Sequence, residues 1–478
     1  MSSAQNSDGD VSVPIARVIL VAATAALGGL MFGFDTAVIN GAVSAIGEQF
    51  ETGPFLLGFA VASALIGCAI GAWYAGRIAD RYGRIRVMVI AAILFIVSAI
   101  GCALAFSVWD LSFWRVVGGL GVGAASVIAP AYIAEVSPPA YRGRLGSLQQ
   151  LAIVSGIFIA LLSDAAIVAF AGSSTADWLL GLEAWRWMFL VAVVPALLYG
   201  ALALTIPESP RYLIARGQMS KAKEVLTRYV GGNVEKTSTD ILKTVEGKED
   251  RPRFRILRGN RFGLLPIVWV GIGLSVLQQF TGINVIFYYS STLWQAVGFT
   301  EQDSLTITVI TSVTNIVTTI VAIMLIDRVG RKPLLLVGAM GQFVCLAVLT
   351  VMFSTATVVD GQPVLEGAAG TTALVAANLY VVFFGASWGP VVWVLLGEMF
   401  SNRIRAVALS VAAAAQWAAN FVISTTFPAL AAVGLGLAYG VYTFFAFVAI
   451  FFVIRFVRET KGRTLESMSD THVDQNAP

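Results

Sequence analysis

The sequence predicts an all-α membrane protein of twelve transmembrane helices in two pseudo-symmetric six-helix halves, and three observations predict it. The chain is 57% hydrophobic and only 12% charged, with a mean hydropathy of +0.81, whereas a soluble domain carries about a quarter charged residues. Twelve continuous apolar segments, each long enough to cross a hydrocarbon core, begin near Arg17, Phe55, Val87, Leu111, Leu145, Trp185, Gly263, Ser304, Pro333, Thr371, Ile404 and Gly434. Charged motifs at the ends of the early segments recur at the ends of the late ones. A β-barrel is excluded, because its strands read as short alternating segments.

The repetition divides the chain. Asp80 and Arg84 follow the second segment as Asp327 and Arg331 follow the eighth; Glu135 and Arg142 follow the fourth as Glu398 and Arg405 follow the tenth. Glu208 and Arg211 follow the sixth, and Glu459 follows the twelfth. The expected organisation is an N-terminal tail (1–16), a first half (17–206), a charged linker with short helices (207–262), a second half (263–457) and a C-terminal tail (458–478). Loops on the linker side hold nearly all the Lys and Arg, and the opposite loops hold Asp and Glu with Arg186 as their one cation. Basic loops mark the cytoplasm, so both termini and the linker are expected there, in a multi-pass protein of the cell membrane. The opening residues are polar and Ser-rich without a basic n-region, which argues against a cleaved signal. Two halves of this kind suit a transporter with a midplane site and alternating access.

Chemistry inside the apolar segments is sparse, and therefore informative. Asp35 lies near the middle of an apolar run from Val18 to Ile46, where an ionised carboxylate needs a partner or water. Arg115 opens the fourth segment and needs a counter-ion as badly. The lone histidine, His472, is in the C-terminal tail, so proton chemistry at membrane depth must use a carboxylate. Gln150, Gln278, Gln279, Asn284, Asn315, Gln416 and Asn420 place uncharged amides in several segments. Amides both donate and accept, which suits a neutral polyhydroxyl ligand; the alternative is interhelical hydrogen bonding. The spacing of Gln278, Gln279 and Asn284 predicts one shared helix face. Phe32, Tyr288, Tyr289, Trp393 and Trp417 offer flat faces to the C–H side of a ring. Trp178, Trp185 and Trp187 read as an interfacial belt.

Other functions are not supported. The glycines from Gly118 to Gly123 lie within a membrane helix and read as a packing face rather than a dinucleotide loop. Lys248 is followed by Glu249, so there is no Walker loop. No metal-ligand spacing and no nucleophile–base arrangement is present, and Cys68, Cys102 and Cys345 all fall in apolar segments as packed thiols. The protein is expected to be no enzyme, to carry no cofactor or metal and to bind no nucleic acid, the basic linker facing anionic lipid instead.

The paired loops Asp80-Arg81-Tyr82-Gly83-Arg84 and Asp327-Arg328-Val329-Gly330-Arg331, the run Pro207-Glu208-Ser209-Pro210-Arg211, and Gln278 to Asn284 resemble the sugar porters of the major facilitator superfamily. The likeness runs from about Gly28 to Gly462 and is strongest to bacterial proton–sugar symporters of the xylose/glucose type and to facilitative glucose carriers. It implies the major facilitator fold and import of a monosaccharide by proton symport. Asp35 would carry the proton and pair with Arg115. Gln150, Gln278, Gln279, Asn284, Trp393, Gln416 and Asn420 match sugar-contacting positions, Asn315 is an addition, and Tyr288 and Tyr289 match an outer gate. The charges Asp80, Arg84, Glu135, Arg142, Glu208, Arg211, Asp327, Arg331, Glu398, Arg405 and Glu459 would latch the outward-facing state. Ile157 stands where xylose-type relatives carry Gln, which leans the substrate toward a hexose, with pentose as the other choice. Two departures are Ala406, in place of a usual Gly, and Ala192, in place of a Glu found in some xylose symporters. The alternatives are a facilitative uniporter with a static Asp35–Arg115 pair, a non-transporting sugar sensor and a drug–proton antiporter. Function as a monomer is expected.

Overall fold

The computed structural model describes residues 10–11, 15–138, 142–246, 254–259, 263–359, 362–365, 367–400 and 404–461. Twelve spans among them are long and apolar enough to cross a membrane, from Ile15–Gln49 to Leu435–Phe456. The first half contains α1 (Ile15–Ala37), α2 (Ile39–Gln49), α3 (Pro54–Tyr82), α4 (Arg84–Ala103), α5 (Val108–Val136), α6 (Arg142–Ala171), α7 (Ala184–Val191) and α8 (Val193–Ala203). Short helices follow: α9 (Pro210–Ala215), α10 (Met219–Val225) and α11 (Val234–Glu246). The second half contains α12 (Pro266–Phe280), α13 (Ile283–Gln295), α14 (Glu301–Val329), α15 (Arg331–Ser354), α16 (Ala368–Phe383), α17 (Gly389–Met399), α18 (Arg405–Val433) and α19 (Leu435–Phe456). Among the described residues the strands form two short antiparallel pairs, Asp10–Val11 with Gly232–Asn233 and Thr357–Val359 with Gln362–Val364, and Asp177 and Glu183 make an isolated bridge.

Local chemistry sets several helix starts. Pro54 and Pro266 sit at the first turn of α3 and α12, where a missing N–H costs nothing. Ser107 and Thr300 cap α5 and α14 by accepting from the amides of Asp110 and Asp303, each at 3.1 Å.

The glycine run in α5 is a packing seam. A Cβ on Gly119 would lie 1.9 Å from the Ala64 carbonyl oxygen of α3, and one on Gly123 2.1 Å from that of Cys68. In hydrocarbon, helices associate by close backbone approach rather than by expelling water. Gly33 of α1 meets Ile153 of α6 in the same way.

Hydropathy does not reveal that four crossings are broken, the sixth among them, at Ala192 between α7 and α8. The first is interrupted at Val38, between α1 and α2. The seventh breaks at Thr281–Gly282, where Gly282 is left-handed at φ +86°. The tenth passes through a π-turn, Phe384–Trp388, before α17 begins with Pro390 in its first turn. Gln278, Gln279 and Asn284 are therefore not on one continuous helix face: the first two end α12 and Asn284 begins α13.

The repeat is reproduced in atomic detail on the linker side. Gly83 and Gly330 adopt nearly the same backbone (φ +96°, ψ 164° and φ +107°, ψ 166°). After each comes an arginine whose guanidinium reaches a carboxylate of its own half: Arg84 to Glu135 at 3.0 and 3.1 Å, Arg331 to Glu398 at 3.0 and 2.7 Å. The amides of Arg84 and Ile85 donate to Glu208, and those of Arg331 and Lys332 donate to Glu459. The two halves are pseudo-symmetric six-helix bundles, in an all-α fold.

Candidate functional site

Asp35 lies in the last turn of α1, and Arg115 lies in the third turn of α5. Arg115 Nη1 approaches Asp35 Oδ2 at 3.3 Å and donates to the Asp35 carbonyl at 2.9 Å. Its Nη2 reaches the Val61 carbonyl at 3.4 Å, and its Nε has no partner among the described residues. The side chains are 3% and 14% exposed for Arg115 and Asp35. The pair is thus enclosed but under-bonded. A proton on Asp35 would cancel one charge and leave Arg115 with backbone carbonyls alone.

The amides gather around the broken helices of the second half. Gln278 donates to the carbonyls of Trp388 (2.8 Å) and Gly389 (3.3 Å), where the π-turn passes into α17. Gln279 donates to Gln278 at 3.4 Å, and Asn284 donates to Gln279 at 2.5 Å. A relay of three amides therefore links the breaks in the seventh and tenth crossings. Asn315 is buried on α14, with its Oδ1 3.2 Å from where a Gly385 side chain would start. Asn420 of α18 donates to the Tyr288 hydroxyl at 3.4 Å and accepts from Ser424 at 3.0 Å. Gln416, one turn before Asn420, has a buried Oε1 with no partner. Phe32 meets Trp417 across the two halves, their rings 5.7 Å apart. Gln150 and Ile157 are half-buried on α6. Trp393 stands one turn beyond Gly389 on α17 and is 42% exposed.

Tyr288 and Tyr289 are buried on α13, and Tyr289 donates to the Ser424 carbonyl at 2.8 Å. Both bonds stay within the second half. The bonds that join the halves come from Asn40, which its residue type alone did not single out. Its Nδ2 donates to the Phe287 carbonyl and to Ser290 Oγ, both at 3.0 Å. Its Oδ1 accepts from the Ser291 amide at 3.2 Å, and its carbonyl accepts from Ser291 Oγ at 2.6 Å. Ser44 with Thr292, and the Ser174 amide with Glu301, add contacts on the same side. This side, opposite the linker, is closed.

The linker-side charges are placed less simply. Asp80 reaches Arg84 at 3.4 Å and is half-exposed, a weak pair. The clusters around Arg84 and Arg331 each close within one half, rather than across the two. Arg211 meets no counter-ion among the described residues, and the side chains of Arg142, Asp327 and Arg405 lie outside them. Burial alone would raise the Glu459 carboxyl, but the amides of Lys461, Arg331, Lys332 and Thr460 outweigh it and hold the group below its ordinary value. Trp185 is a correction to the interfacial belt. It is 1% exposed and donates to Gln49 Oε1 at 2.9 Å, so it belongs to the core.

The family model described as "Sugar (and other) transporter" matches residues 21–471. The chain belongs to the sugar transporter family. A glucose transport protein of Synechocystis is 62% identical over 453 residues, covering 94% of this chain and 97% of that protein. The D-xylose-proton symporter of Escherichia coli is 38% identical over 484 residues, covering 94% and 95%. Among solved structures, the inward-open xylose transporter XylE from E. coli aligns with a TM-score of 0.78 at 36% identity, covering 96% of this chain and 100% of that one. XylE bound to 6-bromo-6-deoxy-D-glucose, a major facilitator proton:xylose symporter, aligns with a TM-score of 0.76 at 36% identity, covering 96% and 99%. The transporter is thus a multi-pass membrane protein of the major facilitator fold and not an enzyme.

Proposed function

We propose that this transporter imports a monosaccharide, a hexose in preference to a pentose, by proton symport and alternating access. The observation that carries the reading is the enclosed Asp35–Arg115 pair, a titratable group at membrane depth held by a cation of another helix. Ionised Asp35 holds α1 to α5; a proton removes that attraction and frees the helices to rearrange, so proton binding and helix movement become linked. Its relatives in Synechocystis and E. coli support a glucose- or xylose-like substrate. The amide relay with Gln416 and Asn420 supplies donors and acceptors for its hydroxyls, and Phe32, Trp393 and Trp417 supply ring faces. Tyr288 and Tyr289 act with Asn40 as the outer gate. The basic linker side faces the cytoplasm, so this conformation is closed to the outside. The halves 17–206 and 263–457 move about the linker 207–262, and the linker-side charges latch the outward-facing state when the ends of the two halves meet. The protein works as a monomer, with lipid around its exposed apolar faces.

The test is uptake of labelled glucose and xylose into proteoliposomes with and without an imposed pH gradient. Wild type should accumulate sugar only with the gradient. Asp35→Asn should lose accumulation and keep sugar counterflow, which needs no driving force. Gradient-independent uptake by wild type would leave a uniporter in place of the symporter.

A further inference from the structure

The first half holds a second carboxylate that the pair above does not use. Asp164, on α6, is 0% exposed, and among the described residues neither of its oxygens has a hydrogen-bond partner. Gly41 of α2 lies directly against it: a Cβ on Gly41 would come within 2.8 Å of Asp164 Cβ and 2.9 Å of its Cγ, with Met188 Sδ of α7 also at 2.8 Å. The Gly41 amide approaches the carboxyl without closing a hydrogen bond. Acidic and basic residues on the helices packed around α6 are Arg17 and Asp35 of α1, Glu48 of α2, Asp110, Arg115 and Glu135 of α5, Arg186 of α7, and Glu301, Asp303, Asp327 and Arg328 of α14. Of the nearer cations, Arg115 is committed to Asp35 and Arg186 to Glu183. Among the described residues a charge at Asp164 would have no counter-ion and no closed hydrogen bond, so the neutral acid is the form that fits the closed arrangement.

Its place in the fold gives that protonation a consequence. Gly41 directly follows Asn40, the residue that ties α2 to α13. One turn of α2 therefore makes the gate bonds on one face and seals Asp164 with the other. We propose that Asp164 is a second protonation site, which takes up a proton as the gate opposite the linker closes and releases it when α2 leaves α13 and its seam with α6 and α7 admits water. Acidification then favours closure, because the closed state binds the proton more tightly than the open one. This rests on the alternating-access reading above, but it is independent of Asp35.

The test uses the full-length protein in lipid without sugar. Infrared titration should show the carbonyl stretch of a protonated carboxylic acid, retained in Asp35→Asn and lost in Asp164→Asn. Spin labels at Thr175→Cys and Gln302→Cys, exposed positions on the gate side of the two halves, report closure. In the Asp35→Asn background the closed-to-open ratio should rise by up to about tenfold per pH unit of acidification, and adding Asp164→Asn should flatten that response. A band unchanged by Asp164→Asn, or a flat response in Asp35→Asn alone, overturns the proposal. Should Asp164→Asn not fold, the titrations of wild type and Asp35→Asn decide it: no protonated-acid band, or no pH-driven closure, rejects it. None of these readouts needs a sugar, so a failure of the symport assay and a failure here are separate results.

Discussion

Arg84 and Arg331 hold equivalent positions but face different surroundings, and that difference predicts unequal effects. The carboxylate of Glu135 is 13% exposed and that of Glu398 is 30% exposed. Removing one member of a buried ion pair strands the other, at a cost of about 3–5 kcal/mol when burial is complete. Arg84→Ala should therefore cost about 3 kcal/mol, and Arg331→Ala distinctly less, because water reaches Glu398. Thermal unfolding followed by a thiol-reactive dye would measure both, since Cys68, Cys102 and Cys345 are all buried in the folded protein. Arg84→Lys should not rescue, because a point charge cannot make the two-pronged contact with Glu135. Residue type alone could not rank the two arginines, since it carries no information on how deeply each partner lies.

At the level of helices, the breaks matter more than the spans. An unbroken helix satisfies its own backbone and offers only side chains to a ligand; a broken one exposes carbonyls and amides at membrane depth, where protein groups must satisfy them. Gln278 donates to backbone where the π-turn meets α17, and Asn40 joins α2 to α13 just beyond the break at Val38. Asn40→Ala removes three side-chain hydrogen bonds between the halves. At ~0.6–2 kcal/mol each in a membrane interior, the loss should shift the gate toward opening by about 2–6 kcal/mol, roughly a thirtyfold change in the equilibrium or more. Distances between labels at Thr175 and Gln302 would read it. Tyr289→Phe, which loses one bond within a single half, should leave that distance nearly unchanged.

For the whole molecule, the carboxylate seated on the Gly330 turn makes the linker-side scaffold pH-sensitive in a direction that can be worked out. Four backbone amides hold the Glu459 carboxyl below its ordinary value in the folded state. A group lowered by folding contributes stability in full above its unfolded value and loses it as pH falls through the lowered one. The melting temperature of wild type should therefore fall on acidification through the carboxylate range. Glu459→Gln should start lower at neutral pH and show a smaller further decrease. An unchanged acid limb in Glu459→Gln would show that the turn at Gly330 does not depend on that charge.

The sequence by itself determined the twelve crossings, to within three residues at each start, together with the internal repeat and the presence of a carboxylate and an arginine inside apolar segments. These are legible because membrane insertion is decided segment by segment, by local hydropathy and flanking charge. It also carried the linker-side charge motifs, because each recurs at the same helix end. Only the tertiary structure decided how the groups meet: that Arg115 also reaches the Asp35 and Val61 carbonyls, that Gln278 ties the seventh crossing to the tenth, that Asn40 bonds the two halves, and that Asp164 closes no hydrogen bond among the described residues. Those are contacts between residues far apart in the chain, set by how close glycine-lined helices come and where a helix breaks. Neither leaves a trace in the hydropathy of the segment itself.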